Sequence, residues 1–140
     1  MKFLFLTQKF YDDHKDCTEI EQKRTRPYSQ VHIEINGVQF AIPLRSEINH
    51  KHVLWTDKPN RCGLDFSKAV VITDDSYVDK DKRPYIRQNE FDSLRGKEYI
   101  VKQKLLKYIS DYKKAKLKQD IERNRTLCRY STMQYFEEYI

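Results

Sequence analysis

Hydrophobic and polar positions alternate most sharply over residues 30–44, where Val31, Ile33 and Ile35 are followed, after Asn36-Gly37, by Val38, Phe40 and Ile42. Asn-Gly is a preferred two-residue type I′ turn, so this stretch predicts a β-hairpin. With Asn36 and Gly37 as the loop, Ile35 faces Val38, Ile33 faces Phe40 and Val31 faces Ile42, which puts all six on one face. Carried to the open end, the same register sets Tyr28 opposite Arg45, Pro27 opposite Ser46 and Arg26 opposite Glu47. Pro27 and Pro43 cannot donate to a ladder, so this end reads as an edge or splayed rim within reach of a ligand.

The pattern elsewhere is less regular. Residues 2–6 read as a short strand, 8–21 as a polar segment of helical character, 50–63 as a loop holding Trp55, Pro59 and Gly63, and 74–87 as turn-rich. The β-branched run within 68–73 predicts a buried strand. From Gly96 onward the period changes: Val101, Leu105, Tyr108, Ile109 and Tyr112 fall on one stripe of an amphipathic helix, with lysines from Lys102 to Lys118 over the rest of its surface. Ser131-Thr-Met-Gln134 has capping-box spacing and predicts a last short helix, with Met133, Phe136 and Ile140 turned inward. Strands followed by helices indicate an α+β fold, one domain over residues 1–140 with a mostly antiparallel sheet packed by amphipathic helices.

Composition adds a sign to this picture. The chain has 140 residues, 39% of them hydrophobic, enough for a core, and 34% charged with a formal net charge of +6, which attracts polyanions and makes nucleic acid the first partner to consider. Cys17, Cys62 and Cys128 have no metal-ligand spacing, and an odd count argues against a disulfide framework. The apolar run at Phe3–Leu6 is shorter than a signal-peptide core, and no stretch reaches membrane-spanning length, so a cytoplasmic protein with no membrane partner is expected.

Metal chemistry lacks a convincing ligand set: His50 and His52 form an HxH pair without a signalled third partner, and Asp74-Asp75 and Asp79–Asp81 have none nearby. Three dispersed glycines exclude a phosphate-binding glycine loop. RNA offers a route that needs neither metal nor cofactor, because its own 2′-hydroxyl can attack the adjacent phosphorus. The protein must then orient the phosphate, stabilise added negative charge and move a proton. Arg26, Tyr28, Arg45 and Ser46 at the open end of the hairpin, followed by His50, Lys51 and His52, suit that work. Taken singly, such arginines more often form surface salt bridges, Tyr28 serves equally as core or stacking platform, and a lysine-rich helix face is more often simply solvated.

A succession of short motifs points further. Leu6-Thr-Gln-Lys-Phe-Tyr11, Arg26-Pro-Tyr28, Phe40-Ala-Ile-Pro-Leu-Arg-Ser46, His50 and Gly63-Leu-Asp-Phe-Ser-Lys-Ala-Val-Val-Ile72 resemble, in order and spacing, the ToxN/AbiQ group of type III toxin–antitoxin systems, closest in flavour to its TenpN branch. The resemblance covers most of residues 2–73 and implies a twisted antiparallel fold related to the Kid/MazF toxins. It also implies a metal-independent, sequence-specific endoribonuclease acting on cellular or phage RNA and on its own repeated antitoxin transcript. Processed antitoxin repeats, folded as pseudoknots, would bind the toxin in a closed hetero-oligomer and block its site.

By position, the resemblance implies phosphate-directed roles for Arg26, Arg45 and Ser46, an acid–base role for His50, and RNA contacts for Lys68 and for an N-terminal aromatic matched by Tyr11 or, less closely, by Phe10. Tyr28, Lys51, His52 and Lys102 join the expected RNA-binding set from their place beside these residues or on the helix. The chain departs from ToxN at Arg45, where a Thr-Ser pair would begin, and at Ile48, where a lysine would stand. Two alternatives remain open: a non-catalytic basic RNA-binding module, and a MazF-type toxin neutralised by a protein.

Overall fold

The computed structural model describes residues 1–20 and 28–140, with Arg26 and Pro27 outside the described residues. Within them the chain is a compact α+β domain: a six-stranded antiparallel sheet with four α-helices. The central hairpin is β2 (Gln30–Ile35) and β3 (Val38–Arg45), paired in the register its turn dictates, Ile35 with Val38, Ile33 with Phe40 and Val31 with Ile42. Asn36 and Gly37 take φ of 51° and 80°, the left-handed pair that a type I′ turn requires. β1 (Lys2–Leu4) lies along the outer edge of β2, shorter than the expected 2–6.

The other edge of β3 is shared. Phe40 and Ala41 pair with β6 (Val70–Val71), the two-residue remnant of the strand expected over 68–73. Leu44 and Arg45 pair with β5 (Cys62–Asp65), which in turn pairs with β4 (Val53–Asp57) to give the order β1-β2-β3-β5-β4. The loop expected over 50–63 is therefore largely a second hairpin. Its connection is a 3-10 turn over Lys58–Asn60 closed by Arg61 in the left-handed region, and the register shifts between Trp55 and Asp57. Gly63 makes the close pairing possible: a Cβ there would lie 2.4 Å from the Leu54 carbonyl oxygen.

α1 (Gln8–Asp13) is capped by the Thr7 hydroxyl and turns Phe10 and Tyr11 into the core, and it occupies only the first part of the polar segment over 8–21. α2 (Gln88–Leu94) had no counterpart among the expected elements. α3 (Glu98–Lys116) buries Val101, Leu105, Tyr108, Ile109 and Tyr112, the anticipated stripe, together with Ala115. Their core partners include Val31, Ile33, Phe40 and Ile42 of the hairpin, and each such side chain contributes on the order of 1.5–3 kcal/mol by leaving water. α4 (Glu122–Tyr130) packs against α3, and the helix expected from Ser131 is instead two 3-10 turns, Thr132–Tyr135 and Glu137–Tyr139, the first capped by the Ser131 hydroxyl on the Met133 amide. Among the described residues no helix is long and apolar enough to cross a membrane.

Candidate nucleic-acid interface

The β4–β5 hairpin assembles the site. Its register pairs Val53 with Asp65, so the segment just before β4, carrying His50 and His52, meets the last residue of β5. β3 and β5 pair Arg45 with Gly63, which makes Asp65 the diagonal neighbour of Arg45 on the same face. After Arg45 the chain turns back through Glu47 at φ 57° and is pinned by buried Ile48, whose amide and carbonyl both bond to Arg61. That turn returns His50 to Arg45. Ile48, where the resemblance would place a lysine, is thus a core anchor.

Asp65 is the hub, with 0% exposure. Arg45 Nη1 donates to its Oδ2 at 2.5 Å, while Oδ1 accepts from the Ser67 amide at 3.0 Å and the Ser67 hydroxyl at 2.6 Å, with His50 Nε2 at 3.2 Å. Burial pushes the carboxyl pKa up, and the hydrogen bonds from His50, Ser67 and Arg45 outweigh it, so the net shift is downward and Asp65 stays ionised. The Asp-Phe-Ser spacing is an Asx-type turn that begins the 3-10 segment Phe66–Lys68.

His50 is bonded on both sides. The His52 amide can only donate, so its 3.0 Å bond makes His50 Nδ1 the acceptor and leaves the proton of the neutral ring on Nε2, aimed at Asp65 and at the Ser67 hydroxyl 3.3 Å away. The His52 ring lies 5.6 Å from that of His50 and edge-on to Tyr108 at 5.2 Å. Burial pushes its pKa below the usual value, His50 and Lys51 adding to the effect and Asp111 and Asp65 opposing it.

This network forms one wall of a cleft of about 1130 Å³ whose other wall is α3, the turn after it and α4. Among the described residues seven cationic side chains line it, Arg45, Lys51, Lys68, Lys107, Lys114, Lys118 and Arg123, against one carboxylate, Asp111. Tyr130, 51% exposed, and the exposed Leu117 supply apolar surface to the same cleft. A second cleft of about 1010 Å³ beside β1 balances Lys2, Lys80, Lys82 and Arg83 with Asp74, Asp75 and Asp79, and so has no comparable bias toward anions.

The expected site residues divide accordingly. Arg45, His50, Lys51 and His52 come together in the cleft, and Tyr28 lies beside Arg45, its ring 6.0 Å from the guanidinium. Ser46 is exposed on the turn and is not part of the cleft lining. Arg26 lies outside the described residues. Tyr11 is corrected: at 7% exposure its ring belongs to the core against Phe10 and has no face for a base, and burial pushes its hydroxyl pKa up to about 12. Lys68 reaches the cleft, but its ammonium is spent on the Glu19 carbonyl and carboxylate and on the Tyr130 carbonyl. Lys102 is absent from the cleft lining and sits about 140° around the helix from Lys107.

Asp65 and Ser67 were missed, although a carboxylate inside an apolar run with a serine two residues on is a readable turn signal. Among the described residues no three His, Cys, Asp or Glu side chains gather as a metal-ligating group. Comparison with protein-family models, with curated proteins and with solved structures found no match.

Proposed function

We propose that the cleft binds RNA and cleaves it without a metal ion, and that the chain is the toxin of a type III toxin–antitoxin system whose antidote is a repeat-derived RNA pseudoknot bound in a closed assembly in the cytoplasm. The observation that carries the RNA reading is the cleft lining: among the described residues, beyond Arg45 and Lys68, which are paired with Asp65 and Glu19, it sets Lys51, Lys107, Lys114, Lys118 and Arg123 against the carboxylate of Asp111, beside the half-buried Arg45 and His50 held on buried Asp65. The antidote and the cellular role rest on the resemblance of residues 2–73 to the ToxN group. Arg45, oriented by Asp65, contacts the scissile phosphate and stabilises its developing charge. Tyr28 and Tyr130 offer ring faces for unpaired bases, and the α3 lysines follow the backbone.

The test is incubation of the purified protein, in EDTA, with end-labelled RNA carrying candidate upstream repeats, followed by end-group analysis. Discrete products with 2′,3′-cyclic phosphate and 5′-hydroxyl ends are expected. One observation favours a second reading, a binding module without catalysis: both ring nitrogens of His50 are already bonded, which removes it as a ready proton carrier. Tight binding with intact RNA would select that reading.

A further inference from the structure

A histidine that takes a proton in catalysis needs a ring nitrogen free to face the substrate. His50 lacks one, since Nδ1 receives the His52 amide and Nε2 faces Asp65. His52 has both: among the described residues no hydrogen bond is made by either of its ring nitrogens, and the ring lines the cleft with Arg45. It is also held in place, half-buried and edge-on to Tyr108, with its backbone tied through the amide to His50 and through the carbonyl to the Phe66 amide.

We propose that His52, rather than His50, is the general base that takes the proton from the attacking 2′-hydroxyl; this rests on the RNA-cleavage reading above. The 2′-oxygen gives its proton to a His52 ring nitrogen and its electron pair to phosphorus. The bond from phosphorus to the 5′-oxygen breaks with its electrons on that oxygen, which takes a proton from solvent water, and the imidazolium returns its proton to solvent. His50 is then a positioning residue, fixing the 50–52 turn against Asp65.

The surroundings keep the His52 ring neutral at working pH. His50 and Lys51 face it from its own segment, Asp65 from β5, and Lys104, Lys107, Tyr108 and Asp111 from α3. Burial and the positive neighbours lower its pKa from 6.5, while the two aspartates oppose them. Cleavage therefore declines in acid along a single limb whose midpoint lies below 6.5.

The test measures kcat/KM in EDTA from about pH 5 to about 8.5 for wild type, His52→Gln and His50→Gln. Proton NMR follows the His52 imidazole in the wild-type protein. His52→Gln is expected to lower the rate by about 10²–10⁴-fold and to abolish the acid limb, while binding of a 2′-deoxy oligonucleotide changes by less than about threefold. His50→Gln keeps the limb, and the NMR midpoint of His52 coincides with it. Wild-type cleavage with an unchanged limb in His52→Gln, or a His52 midpoint apart from the kinetic one, overturns the assignment while leaving the RNase reading standing. No cleavage by the wild type overturns both.

Discussion

The two walls of the cleft carry the same sign of charge and are built on opposite principles. On the sheet side, Arg45, Asp65, His50 and Ser67 form a closed set around a carboxylate that water does not reach. On the helix side, Lys107, Lys114 and Lys118 stand in solvent, and among the described residues Lys107 pairs with Asp111 in an i,i+4 contact. A buried charge must be matched by its neighbours, so the sheet wall fixes directions in space. An exposed lysine row attracts an anion without fixing it. The first arrangement suits a reacting phosphate and the second a passing backbone.

The largest asymmetry appears on removing the hub. Asp65→Asn deletes the charge that holds Arg45 and His50 while preserving shape; Arg45 is 20% exposed and can still be hydrated, so the loss is about 1.5–3 kcal/mol, the range for hydrogen bonds to a charged group. Denaturant unfolding at neutral pH should show that loss, and RNA cleavage should fall with it as Arg45 loses its orientation. The folded Asp65 pKa lies below the ordinary 3.8, so its stabilisation is complete above that value and disappears as pH falls through the folded one. The wild type and Asp65→Asn should therefore differ most near neutrality and converge in strong acid. A gap that stays constant with pH would mean that the aspartate acts only through shape.

A smaller effect on the same wall comes from the backbone beneath it. Gly63 pairs with Arg45 and leaves no room for a methyl group, which would meet the Leu54 carbonyl oxygen at 2.4 Å and Val53 Cγ2 at 2.8 Å. Gly63→Ala must part β4 from β5, at a cost of about 1–3 kcal/mol typical of overpacking. That displacement moves His50 and His52 relative to Arg45, so cleavage should drop more than thermal stability. Equal losses in both would show that the hairpin repacks as a unit.

The same contrast explains what the chain discloses before it folds. β2–β3 is legible because Asn36-Gly37 and strict alternation specify turn and register together, and this alone places Tyr28 beside Arg45. α3 is legible from its stripe. The β4–β5 hairpin is hidden, since it turns through Lys58–Asn60 with Arg61, not glycine, in the left-handed region, and a register shift at Trp55–Asp57 breaks the alternation. With it goes Asp65, which together with the His52 amide bonds both ring nitrogens of His50, the residue to which the resemblance gives an acid–base role. Lys68 shows the same limit: the sequence marks it as basic, while its bonds to carbonyls of two distant segments appear only in the fold. Long-range pairing, not residue type, separates these outcomes.

The smallest effects belong to the helix wall, and salt rather than stability reveals them. Lys114→Ala and Lys118→Ala remove exposed charges, so each should change unfolding free energy by less than about 0.5 kcal/mol. A lysine that neutralises one phosphate of a single strand adds about 0.7 to the slope of log affinity against log salt. Anisotropy titrations of a labelled 2′-deoxy oligonucleotide over a series of salt concentrations should show that slope fall by about this amount in each variant and by roughly twice as much in the double variant. Lys102→Ala is the internal control, because Lys102 lies on the same helix outside the cleft lining and should leave the slope unchanged. If all three variants lower the slope equally, the helix acts through its total charge and the cleft has no privileged track. If only Lys114 and Lys118 do, the nucleic acid runs between the two walls.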